Sequence, residues 1–153
     1  MNRKAAPFSV SEANESTGFL LWQVTTLWQR RIAEALRPLE LTQVQYALLA
    51  SLLWLSRSEG SITQAMLARH AKLDMMMTSQ VLRALESRGL LERRAHPTDT
   101  RAKVLTLTRK GRALTRSAVP VVESTDRSFF RALGHGSGKF NESLIALTTL
   151  TEA

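Results

Sequence analysis

The sequence predicts a mainly helical chain with one small β-hairpin, an α+β arrangement, and three observations predict it. Apolar residues recur with helical period in six segments. Only two short runs, Leu90 to Ala95 and Lys103 to Leu107, have strand character, and between them lies a polar, turn-rich tip, His96-Pro97-Thr98-Asp99-Thr100. The 153 residues, 44% apolar and 22% charged, suit one globular unit with its own core.

Residues 1 to about 15 are expected to be frayed. From about Ser16 to Arg37, Leu20, Val24 and Leu27 share one stripe, and Leu21, Trp28, Ile32 and Ala35 share an adjoining one, giving a helix with a wide apolar face that Pro38 ends. Thr42 and Gln45 form a Thr-x-x-Gln capping box that opens a second helix, running to about Arg57. That helix is apolar nearly all round, so it belongs at the centre of the fold. Glu59-Gly60-Ser61 breaks it. Thr63 caps a short third helix with Leu67 and Ala71 inward. Asp74 caps a fourth from Met75 to Arg88, and Gly89 stops it. After the hairpin, Thr108 caps a fifth helix to about Leu133, expected to bend near Pro120. The glycines from Gly134 to Gly138 are expected to form a linker. Phe140, Leu144, Leu147 and Leu150 then mark a last amphipathic helix.

The net charge is +8, and it is unevenly placed. Between Arg93 and Arg116, eight basic residues face one acid, Asp99, so this stretch alone carries +7. Such a concentration is an electrostatic footprint for phosphates, or else a solvated face that aids solubility. Compact helices followed by a hairpin with a basic tip describe a winged helix-turn-helix, in which the second helix of the pair enters the major groove.

Other chemistries are poorly served. No cysteine is present, which excludes disulfides, thiolate catalysis, thiol redox sensing and Cys-based zinc sites. His70, His96 and His135 lack metal-ligand spacing, no nucleophile or dinucleotide motif occurs, and the Gly134–Lys139 run lacks the P-loop spacing, so neither an enzyme nor a cofactor is expected. No run approaches a membrane span and the N-terminus has no apolar signal region, so a soluble, cytoplasmic protein is expected.

Four segments together carry a resemblance. Leu41-Thr42-x-x-Gln45-Tyr46-x-Leu48-Leu49, Ile62-Thr63-Gln64-x-x-Leu67-Ala68, Leu85-Glu86-x-x-Gly89-Leu90-Leu91-x-Arg93, and Asp99-Thr100-Arg101 with Leu105-Thr106-Leu107-Thr108 and Gly111 resemble the MarR family of bacterial transcription regulators over about residues 20 to 150. The resemblance implies a homodimer on pseudo-palindromic double-stranded DNA, a repressor in many cases, often released by a small aromatic or phenolic effector. It also implies N- and C-terminal dimerisation helices: an arm and first dimerisation helix over 1–37, a winged DNA-binding domain over 38–115, and dimerisation helices over 116–153. The chain departs from the family at Met75-Met76-Met77, where small polar residues are more usual.

The candidate contacts follow from chemistry and position. On the fourth helix Thr78, Val81, Leu82 and Leu85 face inward, leaving Met76, Ser79, Gln80 and Arg83 outward. Gln pairs bidentately with adenine and Met contacts a thymine methyl. The alternative is that Met75 to Met77 fill irregular core gaps. Thr63 and Gln64 lie at a helix N-terminus, whose free N–H groups suit a phosphate, while Thr63 also serves as a plain cap. In the wing, Arg101 is expected to pair with Asp99, which would orient its guanidinium for the minor groove or its phosphates. Arg94, Lys103 and Arg93 are phosphate partners or hairpin stabilisers, and His96 adds a further polar group at the tip. Trp22, Tyr46 and Trp54 are candidate pocket residues for an aromatic effector, against the plainer reading that they are core. A different class of function remains open at this point: a basic architectural protein binding nucleic acid without sequence preference, or a membrane-surface binder using the Trp-rich first helix and Arg30-Arg31.

Overall fold

The computed structural model describes residues 7–58, 60–99 and 101–149. Its helices are α1 (Thr17–Leu36), α2 (Gln43–Leu55), α3 (Gln64–Ala71), α4 (Met75–Ser87), α5 (Arg109–Phe130) and α6 (Ser137–Thr149), with strands β1 (Leu91–Ala95) and β2 (Lys103–Leu107) between α4 and α5. The helix starts follow from their capping residues, whose side-chain oxygens satisfy N–H groups that have no partner inside the helix. Thr42 accepts from Gln45 N–H while the Gln45 side chain accepts from Thr42 N–H, a reciprocal box. Thr63, Asp74 and Thr108 accept from Met66, Met77 and Gly111 respectively. Gly89, at φ +68°, follows α4 in the left-handed conformation that a glycine adopts without a Cβ clash.

α2 lies at the centre, touching α1, α3, α4, α5 and β2, with Leu48, Leu49 and Leu52 fully buried. Leu67 of α3, Leu82 and Leu85 of α4 and Ile32 and Leu36 of α1 close around it. The strands pair antiparallel in a register from Leu91↔Leu107 to Ala95↔Lys103. Leu91, Leu105 and Leu107 are buried on the inner face, which anchors the hairpin root to the core. Leu105 N–H also donates to the Ile62 carbonyl at 2.8 Å, and Thr63 bridges Val104, so the start of α3 is stitched to β2. At the base of the hairpin α5 closely meets the turn that leads into β1. An added Cβ on Gly111 would lie 1.7 Å from the Leu90 carbonyl oxygen, so only glycine fits there. Across the molecule, Trp28 Nε1 of α1 donates to Asp126 of α5 at 2.8 Å.

Several expectations are modified. Residues Ala13–Glu15 form a short 3-10 turn with its own capping box rather than a wholly frayed arm. The glycine-rich stretch is no open linker: Arg131–Gly136 is a 3-10 segment and Gly138 lies inside α6, with Gly134 supplying the turn at φ +53°. α5 continues through Pro120 and ends at Phe130, a little before the expected end at Leu133. The apolar face of α1 is covered only at its C-terminal end. Leu20, Leu21, Trp22, Val24 and Leu27 are each 38–63% exposed, as are Ile145 and Leu147 of α6 at 62% and 54%. Phe140 and Leu144 are half-buried. Leu150, Thr100, Glu59 and residues 1–6 lie outside the described residues.

Candidate nucleic-acid interface

α4 divides cleanly into two faces because its apolar positions fall at helical spacing. Thr78, Leu82 and Leu85 are fully buried and Val81 is half-buried. Thr78 is satisfied by donating its hydroxyl proton to the Asp74 carbonyl at 2.8 Å. The outward face presents Met76, 73% exposed, with Gln80 and Arg83 also exposed and Ser79 half-buried. Met75 and Met77 are exposed too, so none of the three methionines fills a core gap.

The hairpin tip is ordered by local hydrogen bonds. His96 Nδ1 accepts from the N–H groups of Thr98 and Asp99, at 3.3 and 3.2 Å. Asp99 departs from expectation. Its carboxylate accepts from the backbone N–H of Arg101 at 3.0 Å, and among the described residues no ion pair joins it to the Arg101 guanidinium. The short Asp side chain reaches an N–H two residues on more readily than it reaches a splayed guanidinium, so Asp99 shapes the turn and leaves the Arg101 charge exposed. Lys103 is exposed at the start of β2.

Two arginines of the basic stretch pair with acids just outside it. Arg93 points to the inner side of the hairpin, and its Nε donates to Glu86 of α4 at 2.9 Å. This charge-assisted bond ties wing to α4 and holds the Glu86 carboxyl below its ordinary range. Arg94 and Glu92, two apart on the outer face of β1, form a fully solvated pair at 2.7 Å. Nothing in the linear spacing marks Glu86 and Arg93 as partners; the turn at Gly89 brings them together. Thr63 is half-buried with its hydroxyl engaged as a cap, and Gln64 is half-buried beside it.

The aromatic candidates separate. Tyr46 and Trp54 line one cleft of about 490 Å³ between α2, α3 and α5, together with Arg57, His70 and Glu123. The Arg57 guanidinium lies 4.9 Å from the Trp54 ring centre. Burial, then Asp126 and Glu123, pushes the Tyr46 phenol above its ordinary value. Trp22 is not in this cleft. It sits on the exposed face of α1, stacked on Phe19 at 6.0 Å. Arg57 and His70 are contacts that sequence reasoning missed; only the packing of α2 against α3 and α5 assembles them. Among the described residues no cluster of three or more His, Asp or Glu side chains suits a metal, and no helix is long and apolar enough to cross a membrane.

A helix pair, α3 and α4, followed by a basic hairpin stitched to the start of α3 is a winged helix-turn-helix. The MarR family model matches residues 41–103. The uncharacterized HTH-type transcriptional regulator YdcH of Bacillus subtilis is 42% identical over 122 residues, which cover 80% of this chain and 83% of that protein. CouR from Rhodococcus jostii RHA1, solved with p-coumaroyl-CoA, superposes with a TM-score of 0.78 at 25% identity, over 92% of this chain and 95% of that one. The transcriptional repressor CouR on a 23-mer DNA duplex gives 0.77 at 26% identity, over 94% and 99% of the two chains. This chain belongs to the MarR family, whose members regulate transcription and are not enzymes.

Proposed function

We propose that this chain is a homodimeric repressor that reads a pseudo-palindromic operator and is released by a small aromatic effector. The observation that carries this reading is the capped outward face of α4, where Met76, Gln80 and Arg83 stand clear of the core beside a cationic wing. In this reading Gln80 pairs with an adenine edge and Met76 contacts a thymine methyl, while Ser79 and Arg83 contact the flanking groove. Arg101, Lys103 and Arg94 meet phosphates or the minor groove. His96 and Asp99 hold the tip in shape for them, and the α3 start at Thr63 and Gln64 offers N–H groups to a phosphate.

The uncovered apolar faces of α1 and α6 suit a second copy of the chain, since a monomer rarely leaves so large a patch in water. Residues 38–115 then form the reading unit, and 1–37 and 116–153 the dimer. Two copies of α4 would dock about one helical turn apart, roughly 34–36 Å. The Tyr46–Trp54 cleft, with Arg57 and His70 at hand, suits an aromatic ring bearing an acid; CouR is solved with an aromatic acyl-CoA. A cytoplasmic location follows from a DNA partner.

The test is selection of bound duplexes from a random pool. One enriched inverted repeat is expected. Gln80→Ala should erase the preference at one position of each half-site, and Arg101→Ala should weaken binding on every duplex with a salt slope shallower by about one. Equal binding of all duplexes would instead favour a non-specific architectural role.

A further inference from the structure

Three of the five methionines are consecutive, Met75, Met76 and Met77, and all stand in solvent at 49%, 73% and 42% exposure. Met66 is half-buried, Met1 lies outside the described residues, and the chain holds no cysteine. The accessible sulfur of the described structure is therefore gathered on the first turn of α4. There the Asp74 cap holds the helix start in place. Thioethers are oxidised according to their exposure, and oxidation turns a flexible apolar side chain into a polar one.

We propose that Met75–Met77 form an oxidation site through which a peroxide weakens DNA binding, a proposal that rests on α4 being the groove-entering helix. A thioether lone pair attacks one oxygen of hydrogen peroxide. The S–O bond forms as the O–O bond breaks, and the departing hydroxide takes the remaining proton as water. Sulfur is oxidised by two electrons and the peroxide reduced by the same two, giving methionine sulfoxide. On Met76 the new S–O dipole replaces the apolar surface that would meet a thymine methyl or a deoxyribose, so it must shed water to dock and finds no donor opposite. The change is reversible, because sulfoxide reductases restore the thioether. Helix α4 itself survives, since its inward anchors Thr78, Leu82 and Leu85 contain no sulfur.

The experiment measures affinity for a labelled duplex recovered by selection from a random pool, before and after hydrogen peroxide, with mass spectrometry locating each added oxygen. Wild type should take up oxygen at Met75–Met77 and lose about tenfold in affinity, recovering after methionine sulfoxide reductase. Met76→Leu and the triple variant Met75→Leu, Met76→Leu, Met77→Leu are each compared with their own untreated form. The single variant should respond less than wild type and the triple variant not at all, whatever their basal affinity. Circular dichroism of the oxidised protein should be unchanged. Unaltered affinity after these residues are oxidised, or an equal loss in the triple variant, overturns the proposal. A Gln80→Ala control separates two failures. If it leaves binding unchanged, the placement of α4 is wrong and the proposal falls with it. If it weakens binding while oxidised wild type does not weaken, only the oxidation site is wrong.

Discussion

Gly111→Ala inverts the usual effect of replacing a helical glycine. In an exposed helix interior the change gains up to about 1 kcal/mol, because alanine is the better helix former. Here the new Cβ would sit 1.7 Å from the Leu90 carbonyl oxygen and 2.7 Å from its carbonyl carbon. Both are backbone atoms, so no rotamer change relieves the clash, and α5 must withdraw from the Leu90 backbone by roughly 2 Å to reach ordinary contact distance. That movement strains three hydrogen bonds across the joint: Thr108 N–H to Leu90 O at 3.2 Å, Thr108 Oγ1 to Gly89 O at 2.7 Å, and Lys110 Nζ to Arg88 O at 3.0 Å. At about 1 kcal/mol each their loss costs about 3 kcal/mol, so the net destabilisation is about 2 kcal/mol after the helix-propensity gain. For a chain of this size the melting temperature should fall by roughly 4–8 °C. The assay is thermal and urea unfolding followed by circular dichroism at one fixed protein concentration, because self-association shifts the midpoint. Gly138→Ala is the control: it lies in α6 with nothing within 4 Å of the added Cβ, and should be neutral or slightly stabilising. A Gly111→Ala variant as stable as wild type would refute the close-approach argument.

Other consequences are open to measurement. Glu86 is held below its ordinary pKa by Arg93, so its stabilising effect is full above the unfolded carboxylate value near 4.3 and disappears as pH falls through the lower folded value. The stability gap between wild type and Glu86→Gln should therefore close in acid, and a gap independent of pH would count against the pair. Tyr46 is shifted upward, chiefly by burial, so stability should decline as pH rises beyond about 10; Tyr46→Phe should flatten that alkaline limb in urea titrations. Trp28→Phe removes the indole donor to Asp126 and should cost about 1–2 kcal/mol. Asp126→Asn should cost less, since an amide oxygen still accepts from the indole; an equal loss would mean that the carboxylate charge, not merely an acceptor oxygen, carries the contact.

Much of this protein was legible from local signals. Caps at Thr42, Thr63, Asp74 and Thr108, the glycine stop at Gly89 and the two short strands all concern residues within a turn or a strand of one another, so sequence spacing determines them. The two faces of α4 follow from the same periodicity, which is why Met76, Gln80 and Arg83 could be singled out as outward. What only tertiary structure decided depends on separations that chain spacing does not encode. Arg93 turns inward to Glu86 across the Gly89 turn, Asp99 spends its carboxylate on the backbone of the tip, and Trp22 parts company with Tyr46 and Trp54. A carboxylate bonds whichever donor the fold brings within about 3 Å. A helix face is buried only where another element covers it, and many apolar residues of α1 and α6 stay largely in water because no described segment of the chain covers them fully.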